Sequence, residues 1–126
     1  METWPSFYPE NVPPDDAHDT VGVAYRIVDS IPPQRSDFKS TYEENPRDYG
    51  DDLWKACGTS LHTEIEGARK TRARYPKLRE KMIVTGEMVE SLGKMKQTPS
   101  KLSVTHITAW FKLNSDPENY IKDNAE

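Results

Sequence analysis

Apolar and polar positions alternate with a period of two along three stretches of the chain, and these predict its main strands. From Val21 to Val28 the alternation puts Val21, Val23, Tyr25 and Ile27 on one face and Gly22, Ala24, Arg26 and Val28 on the other. From Lys81 to Met88 it sets Met82, Val84 and Met88 opposite Ile83, Thr85 and Glu87. The run from Leu102 to Leu113 is dense in β-branched and aromatic residues. There Ile107, Ala109, Phe111 and Leu113 share the face expected to meet the core, and Val104, His106, Thr108, Trp110 and Lys112 share the other. A short strand, Thr59 to His62, is expected after Gly58.

The helical period is weaker. Ile65, Ala68, the methyl of Thr71, and Tyr75 form a narrow stripe, so a helix is predicted from Glu64 to Tyr75, with a Thr63/Glu66 capping box before it and Pro76 behind it. Shorter helices are expected from Asp37 to about Glu44 behind Ser36, and at Leu53 to Ala56 before Gly58. Ser115-Asp116-Pro117-Glu118 reads as a second capping box opening a short C-terminal helix to about Lys122. The polar stretch from Glu90 to Ser100 is a long loop or a weak hairpin. This order of elements predicts a single small α+β domain, a mixed and mostly antiparallel sheet with short helices packed on it.

Composition narrows the picture. With 126 residues, 34% hydrophobic and 30% charged, the chain can fill one thin core. Ten prolines and six glycines imply many turns and short elements. Three segments are expected: an acidic arm over residues 1–20, a core over 21–113 and a tail with a short helix over 114–126. In the arm Trp4, Phe7 and Tyr8 are interleaved with Pro5, Pro9, Pro13 and Pro14. Aromatics so dense are costly to leave in water, so the arm docks either on the domain or on a protein partner.

Charge is uneven, although the net value of −4 implies no particular partner. Met1 to Thr20 carries five acids and no lysine or arginine, while seven of the thirteen residues from Arg69 to Lys81 are basic. Arg69, Lys70, Arg72 and Arg74 thus form either a solvated helix face or a surface for an anionic or protein partner. The single cysteine, Cys57, excludes an internal disulfide, fits a reducing compartment and reads as a small buried hydrophobe. The acidic lead lacks the apolar run of a signal peptide, and no stretch is long and apolar enough to span a membrane. A cytoplasmic location is expected.

Chemistry concentrates in Gly58-Thr59-Ser60-Leu61-His62 and in His106. The three histidines, with one cysteine, have no zinc spacing, and no metal is expected. His62 and His106 lie on predicted strands, where each serves as a base beside Ser60 and Thr59 or is satisfied by backbone at a sheet edge. Ser60 lacks the Gly-x-Ser-x-Gly elbow of many hydrolases, and no phosphate-loop or dinucleotide glycine pattern is present. Arg26 among small residues suggests a shallow groove holding a guanidinium, or a pair with a carboxylate at the sheet edge. Tyr75 and Trp110 are able to stack on bases, yet the acidic chain carries no nucleic-acid motif, and that partner is disfavoured.

At Tyr25-Arg26, Gly58-Thr59-Ser60-Leu61-His62-Thr63, Ala68, Tyr75 and the strand from Lys81 to Gly86, the chain resembles the ADP-ribosyltransferase fold over residues 21–113. The resemblance implies NAD as ligand, with Arg26 on its phosphates or ribose and Ser60 supporting the nicotinamide ribose. It also implies Thr59 and His62 flanking that pocket. Arg26, Ser60, His62 and His106 are expected to line one cleft, with Trp110 as its stacking wall. Residues 103–113, where the family places its catalytic glutamate, contain no acid. The catalytic candidates are His62 and His106. ADP-ribose transfer to a macromolecular target, as a toxin-like or defence-related effector, is one expected function. A non-catalytic interaction module (an inhibitor, an immunity factor or a subunit of a larger assembly) is the other. Pro32-Pro33, Asp37-Phe38, Ala56-Cys57-Gly58-Thr59-Ser60 and His106-Ile107-Thr108-Ala109-Trp110 also resemble a set of small uncharacterised bacterial proteins, a kinship that implies no mechanism.

Overall fold

The computed structural model describes residues 4–126. Seven strands form one sheet: β1 (His18–Asp19), β2 (Gly22–Val28), β3 (Thr59–His62), β4 (Met82–Met88), β5 (Gly93–Gln97), β6 (His106–Phe111) and β7 (Asp123–Asn124). Their spatial order is β1-β5-β6-β3-β2-β4-β7. Every pairing is antiparallel, so the mixed sheet expected from the sequence is corrected to a wholly antiparallel one. The stretch before Ser100 forms a hairpin, with β5 laid on β6 from Gly93↔Phe111 to Gln97↔Ile107. Among the described residues three α-helices accompany the sheet: α1 (Thr41–Glu44), α2 (Leu53–Ala56) and α3 (Ile65–Arg74).

One face of the sheet is closed by apolar packing. Ala24 and Val28 of β2, Leu61 of β3, Val84 of β4, and Ile107, Ala109 and Phe111 of β6 meet Phe38, Leu92 and Ile121 from turns that cross that face. The alternation in β2 was therefore read correctly as two sets, but the small-residue set is the core and offers no groove. Phe38, Leu92 and Ile121 supply the bulk, so the strand contributes short side chains, while Val23 is 49% exposed on the opposite face. Leu113 lies beyond the end of β6 and is 52% exposed, a correction to its core assignment.

The other face has two separate covers. α3 lies across β2 and β3, with Gly67 and Ala68 buried beneath it. The N-terminal arm forms the second cover. Val12, Cys57 and Trp110 make a buried cluster on which Trp4, Phe7, Tyr8, Leu53 and Trp54 pack. Phe7 also stacks on Tyr42 of α1. Of the two fates open to the arm, the structure thus shows docking on its own domain. Two of its acids pair with β5, Asp16 with Lys96 and Asp19 with Lys94, each at 2.7 Å, and among the described residues none pairs with the basic helix.

Both capping boxes expected from the sequence fail. Glu64 is the N-cap of α3 and makes no side-chain cap bond. At the C-terminus Asp116 takes a left-handed conformation (φ 56°) before a single 3-10 turn, Pro117–Asn119, in place of the expected helix. A capping box does form at Ser40 with Glu43, where Oγ accepts from Glu43 N–H at 3.1 Å and the carboxylate accepts from Ser40 N–H at 2.9 Å. No helix among the described residues is long and apolar enough to cross a membrane.

Candidate functional site

Between the two covers runs an open polar groove with two lobes, of about 520 and 550 Å3. They meet at a waist lined by Thr41, Tyr49, Ser60, His62, Thr71 and Tyr75, which belong to both. Ser60 and His62 of β3 form the floor. α3 and its C-terminal cap give one wall (Thr71 and Tyr75), and α1 and the following turn give the other (Thr41 and Tyr49). Alternation creates this floor: residues two apart on β3 share a face, and the register pairs Ser60 with Thr108 and His62 with His106 on β6.

Gly58 allows the start of β3 to lie close to β6. A Cβ there would fall 2.2 Å from Thr108 Cγ2 and 3.1 Å from the Ala109 carbonyl oxygen. The glycine that ends α2 thus also permits the strand pairing that brings the two histidines together.

His62 and His106 stand edge to face, with ring centroids 5.4 Å apart. His62 Nδ1 lies 2.9 Å from Ser103 Oγ. His106 Nδ1 lies 3.0 Å from the Thr98 carbonyl oxygen and 2.9 Å from Thr98 Oγ1. A carbonyl only accepts, so Nδ1 of His106 carries the ring proton and Nε2 is the bare acceptor. Burial lowers the pKa of His62 to about 4, reinforced by His106 and Arg26. Burial also lowers that of His106; the bond to Thr98 opposes the shift, and Lys55 and Arg26 add to it. Both imidazoles are therefore neutral near pH 7, as a general base requires.

The lining is cationic although the chain is acidic. Arg26, Arg47, Lys77 and Lys81 border the first lobe with Glu44. Lys55 and Lys101 border the second with Asp52. Lys81 is held by Asp29 at 2.9 Å, whereas among the described residues Arg47, Lys55, Lys77 and Lys101 have no carboxylate within ion-pair distance. Low-dielectric walls beside unpaired cations concentrate positive potential in the groove.

Arg26 lies at the groove, but its donors are largely used. β2 and β3 pair at one couple only, Tyr25↔His62, and Arg26 fills the gap beyond it. Its Nε donates to the Asp37 carbonyl and its Nη1 to the Ser60 carbonyl, each at 2.9 Å, while Nη2 lies 3.6 Å from Glu44. The carboxylate partner anticipated for Arg26 is thus present as Glu44 of α1, although Arg26 itself lies on an interior strand and not at the sheet edge.

Two expected site residues are elsewhere. Thr59 points to the core side and donates to the Phe38 carbonyl at 2.8 Å. Trp110 is fully buried in the arm's aromatic cluster, with its indole N–H on the Trp54 carbonyl at 2.9 Å, so it offers no stacking wall. Ser60, His62 and His106 do come together. In the basic helix, Arg69 and Arg72 bind Glu126, and Arg74 lies 5.4 Å over the Tyr75 ring. Burial pushes the Cys57 thiol up to about 11, in keeping with a buried hydrophobe.

Sequence reasoning missed Thr41, Arg47, Tyr49, Thr71, Lys77, Thr98 and Lys101 as lining residues. Most lie in turns or at helix ends, where periodicity carries no information. Among the described residues no group of three His, Cys, Asp or Glu side chains is placed to hold a metal ion. Comparison with known proteins finds no matching family model, no matching curated protein and no matching solved structure.

Proposed function

We propose that the groove binds a nucleotide, NAD first among candidates, within an ADP-ribosyltransferase-like fold, and that it passes ADP-ribose to a macromolecular acceptor as a toxin-like or defence-related effector. One observation carries this reading. Six cationic side chains and two carboxylates line a groove whose floor is a serine and two neutral imidazoles, in a chain of net charge −4. Such a lining suits a dianionic ligand laid across a base. The resemblance drawn from the sequence is supported by the adjacency of the Arg26 strand and the Thr59-Ser60 strand, which open on one groove.

In this reading Arg47 and Lys77 hold the phosphates in the first lobe. Arg26 acts mainly by keeping β2 and β3 apart. Ser60 meets the nicotinamide ribose, and His106 Nε2 takes the proton from the acceptor as it attacks the anomeric carbon and nicotinamide leaves. β6 brings no carboxylate to the site, so charge stabilisation at that carbon falls to Glu44 and the ring dipoles.

The interaction-module alternative has less to draw on. Trp4, Phe7 and Tyr8 pack on their own domain, and Arg69 and Arg72 are occupied by Glu126.

An NAD titration followed by amide NMR tests the proposal on wild type, Lys77→Ala and Lys101→Ala. These variants remove unpaired groove cations without touching the core. Saturable shifts at residues 59–63 and at His106 are expected, weakened roughly fivefold or more by Lys77→Ala, the scale of one charge-assisted contact. Absence of any shift at millimolar NAD would discard NAD as the ligand.

A further inference from the structure

The two imidazoles are held from the same side by one short segment. Residues 98–105 connect β5 to β6, and within them Thr98 and Ser103 each reach the Nδ1 of a different histidine. The segment is internally braced. Ser103 N–H donates to Ser100 Oγ at 3.0 Å, Ser100 N–H donates to the Ser103 carbonyl at 2.9 Å, and Ser103 Oγ lies 3.3 Å from Thr105 Oγ1. It also walls the second lobe through Thr98, Pro99, Ser100 and Lys101. Among the described residues neither histidine has a protein partner at Nε2, and neither Nε2 is a fully buried unpartnered atom. The unbonded edge of each ring is thus turned away from the connection, with His62 itself buried (3% exposed) in the groove floor.

α3 completes the arrangement from the other side. A Cβ on Gly67 would lie 2.2 Å from Ser103 Oγ, 2.7 Å from Thr105 Oγ1 and 3.0 Å from His62 Nδ1. Gly67 sits in the first turn of α3, and its φ is an ordinary one, so no backbone conformation there calls for glycine. The missing side chain is explained by the space the Ser103–His62 bond needs.

We infer that Ser103 is the positioning residue of His62, that the Thr98 carbonyl plays the same part for His106, and that Gly67 leaves room for the Ser103–His62 bond. The 98–105 connection then presents two Nε2 edges in fixed orientation to whatever occupies the groove. This geometry goes beyond the NAD reading and does not depend on it; only its effect on turnover rests on that reading.

The two anchors differ, and the difference supplies the test. His62 is held by a side-chain hydroxyl, so one substitution releases it. His106 is held by backbone, so removing the Thr98 hydroxyl leaves its anchor in place. Ring-nitrogen NMR on the full chain near pH 7 reads the tautomers directly. In wild type His106 is expected to be protonated at Nδ1 and bare at Nε2, and His62 to populate a single tautomer. Ser103→Ala is expected to give averaged ring-nitrogen shifts at His62 and leave His106 unchanged. Thr98→Val should leave the proton of His106 on Nδ1. Gly67→Ala, which crowds Ser103 without lining the groove, should disturb His62 as Ser103→Ala does.

Unchanged His62 shifts in Ser103→Ala would overturn the role of Ser103. A wild-type His106 bare at Nδ1 would overturn the role of Thr98 with no variant needed. Failure of NAD to bind leaves these outcomes untouched, and a failed tautomer test leaves the NAD titration untouched, so the two ideas fall separately.

Discussion

Leu61 and Ser60 are neighbours on β3 and face opposite fates. Leu61 turns into a closed layer with Ile107, Phe111 and Phe38, all buried, while Ser60 lies in the floor of the groove. The sheet is the same on both faces; the covers differ. On the closed face, turns carrying Phe38, Leu92 and Ile121 meet in one apolar cluster. On the open face, α3 and the aromatic arm cover the two flanks and leave a polar strip between them. Strand alternation sorts residues onto faces, but whether a face is sealed depends on what reaches it from outside the sheet.

The largest expected effect tests that contrast within one strand. Leu61→Ala removes a fully buried side chain from the closed layer and is expected to cost about 2–5 kcal/mol. Ser60→Ala, one position away, is expected to stay within about 0.5 kcal/mol, since among the described residues its hydroxyl makes no hydrogen bond and its surroundings are open. Urea unfolding of the two variants measures both. Comparable losses would break the division into a sealed and an open face.

A pH effect comes next, and it belongs to the open face alone. His62 falls from 6.5 in the unfolded chain to about 4 in the fold, so the unfolded state binds more protons between those values. Stability is then full above pH 6.5 and declines as pH drops toward 4. The shift corresponds to about 3 kcal/mol over the whole window, of which about 2 kcal/mol falls between pH 7 and pH 5. His106 adds in the same direction. Urea midpoints at the two pH values should show this slope in wild type and a shallower one in His62→Gln. Equal slopes would mean that the imidazole is not enclosed as described.

Legibility in the sequence followed the same division. The strands β2, β3 and β4 and the helix α3 were readable within a residue or so, because alternation and a proline stop mark them locally. The core face of β6 was readable too, as Ile107, Ala109 and Phe111. The covers were not readable, since they depend on where turns fold back. Trp110 shows why: alternation correctly put it on the face of His106 and Thr108, yet the arm's aromatics bury it. Arg26 is a similar case. Its alternation places it with Ala24 and Val28, but the strands part and its guanidinium bridges the gap to the Ser60 carbonyl. Ser60, His62 and His106 were identified because strand pairing alone brings them together. Arg47, Lys77 and Lys101 were missed because turns carry them.

Trp110 also sharpens the boundary between arm and groove. Trp110→Phe keeps most of the apolar volume and deletes the indole N–H that the Trp54 carbonyl accepts, leaving that carbonyl short of a partner. A loss of about 1–2 kcal/mol in unfolding free energy is expected, with ligand shifts at Ser60 and His106 unchanged. Unaltered stability with weakened groove binding would instead place Trp110 in the ligand site and undo its assignment to the cover.

The smallest effect concerns what holds α3 as one wall of the groove. Glu126 accepts from Arg72 at 2.7 Å and from Arg69 at 3.1 Å. These side chains are partly exposed, so water and salt screen them, and Glu126→Gln is expected to cost less than about 1 kcal/mol, shrinking further in high salt. Its pH signature separates it from the imidazoles. Arg72, with Arg69 behind it, lowers the Glu126 carboxyl from 4.5 to about 2, so its contribution is present above 4.5 and is lost only as pH falls through about 2. Between pH 7 and pH 5 the ion pair is constant while the histidines respond. Glu126→Gln should therefore lower the urea midpoint slightly at both pH values and leave the slope between them intact. A changed slope would mean that the clamp on α3 and the burial of His62, which lies against Gly67 of that helix, are one coupled unit and not two independent ones.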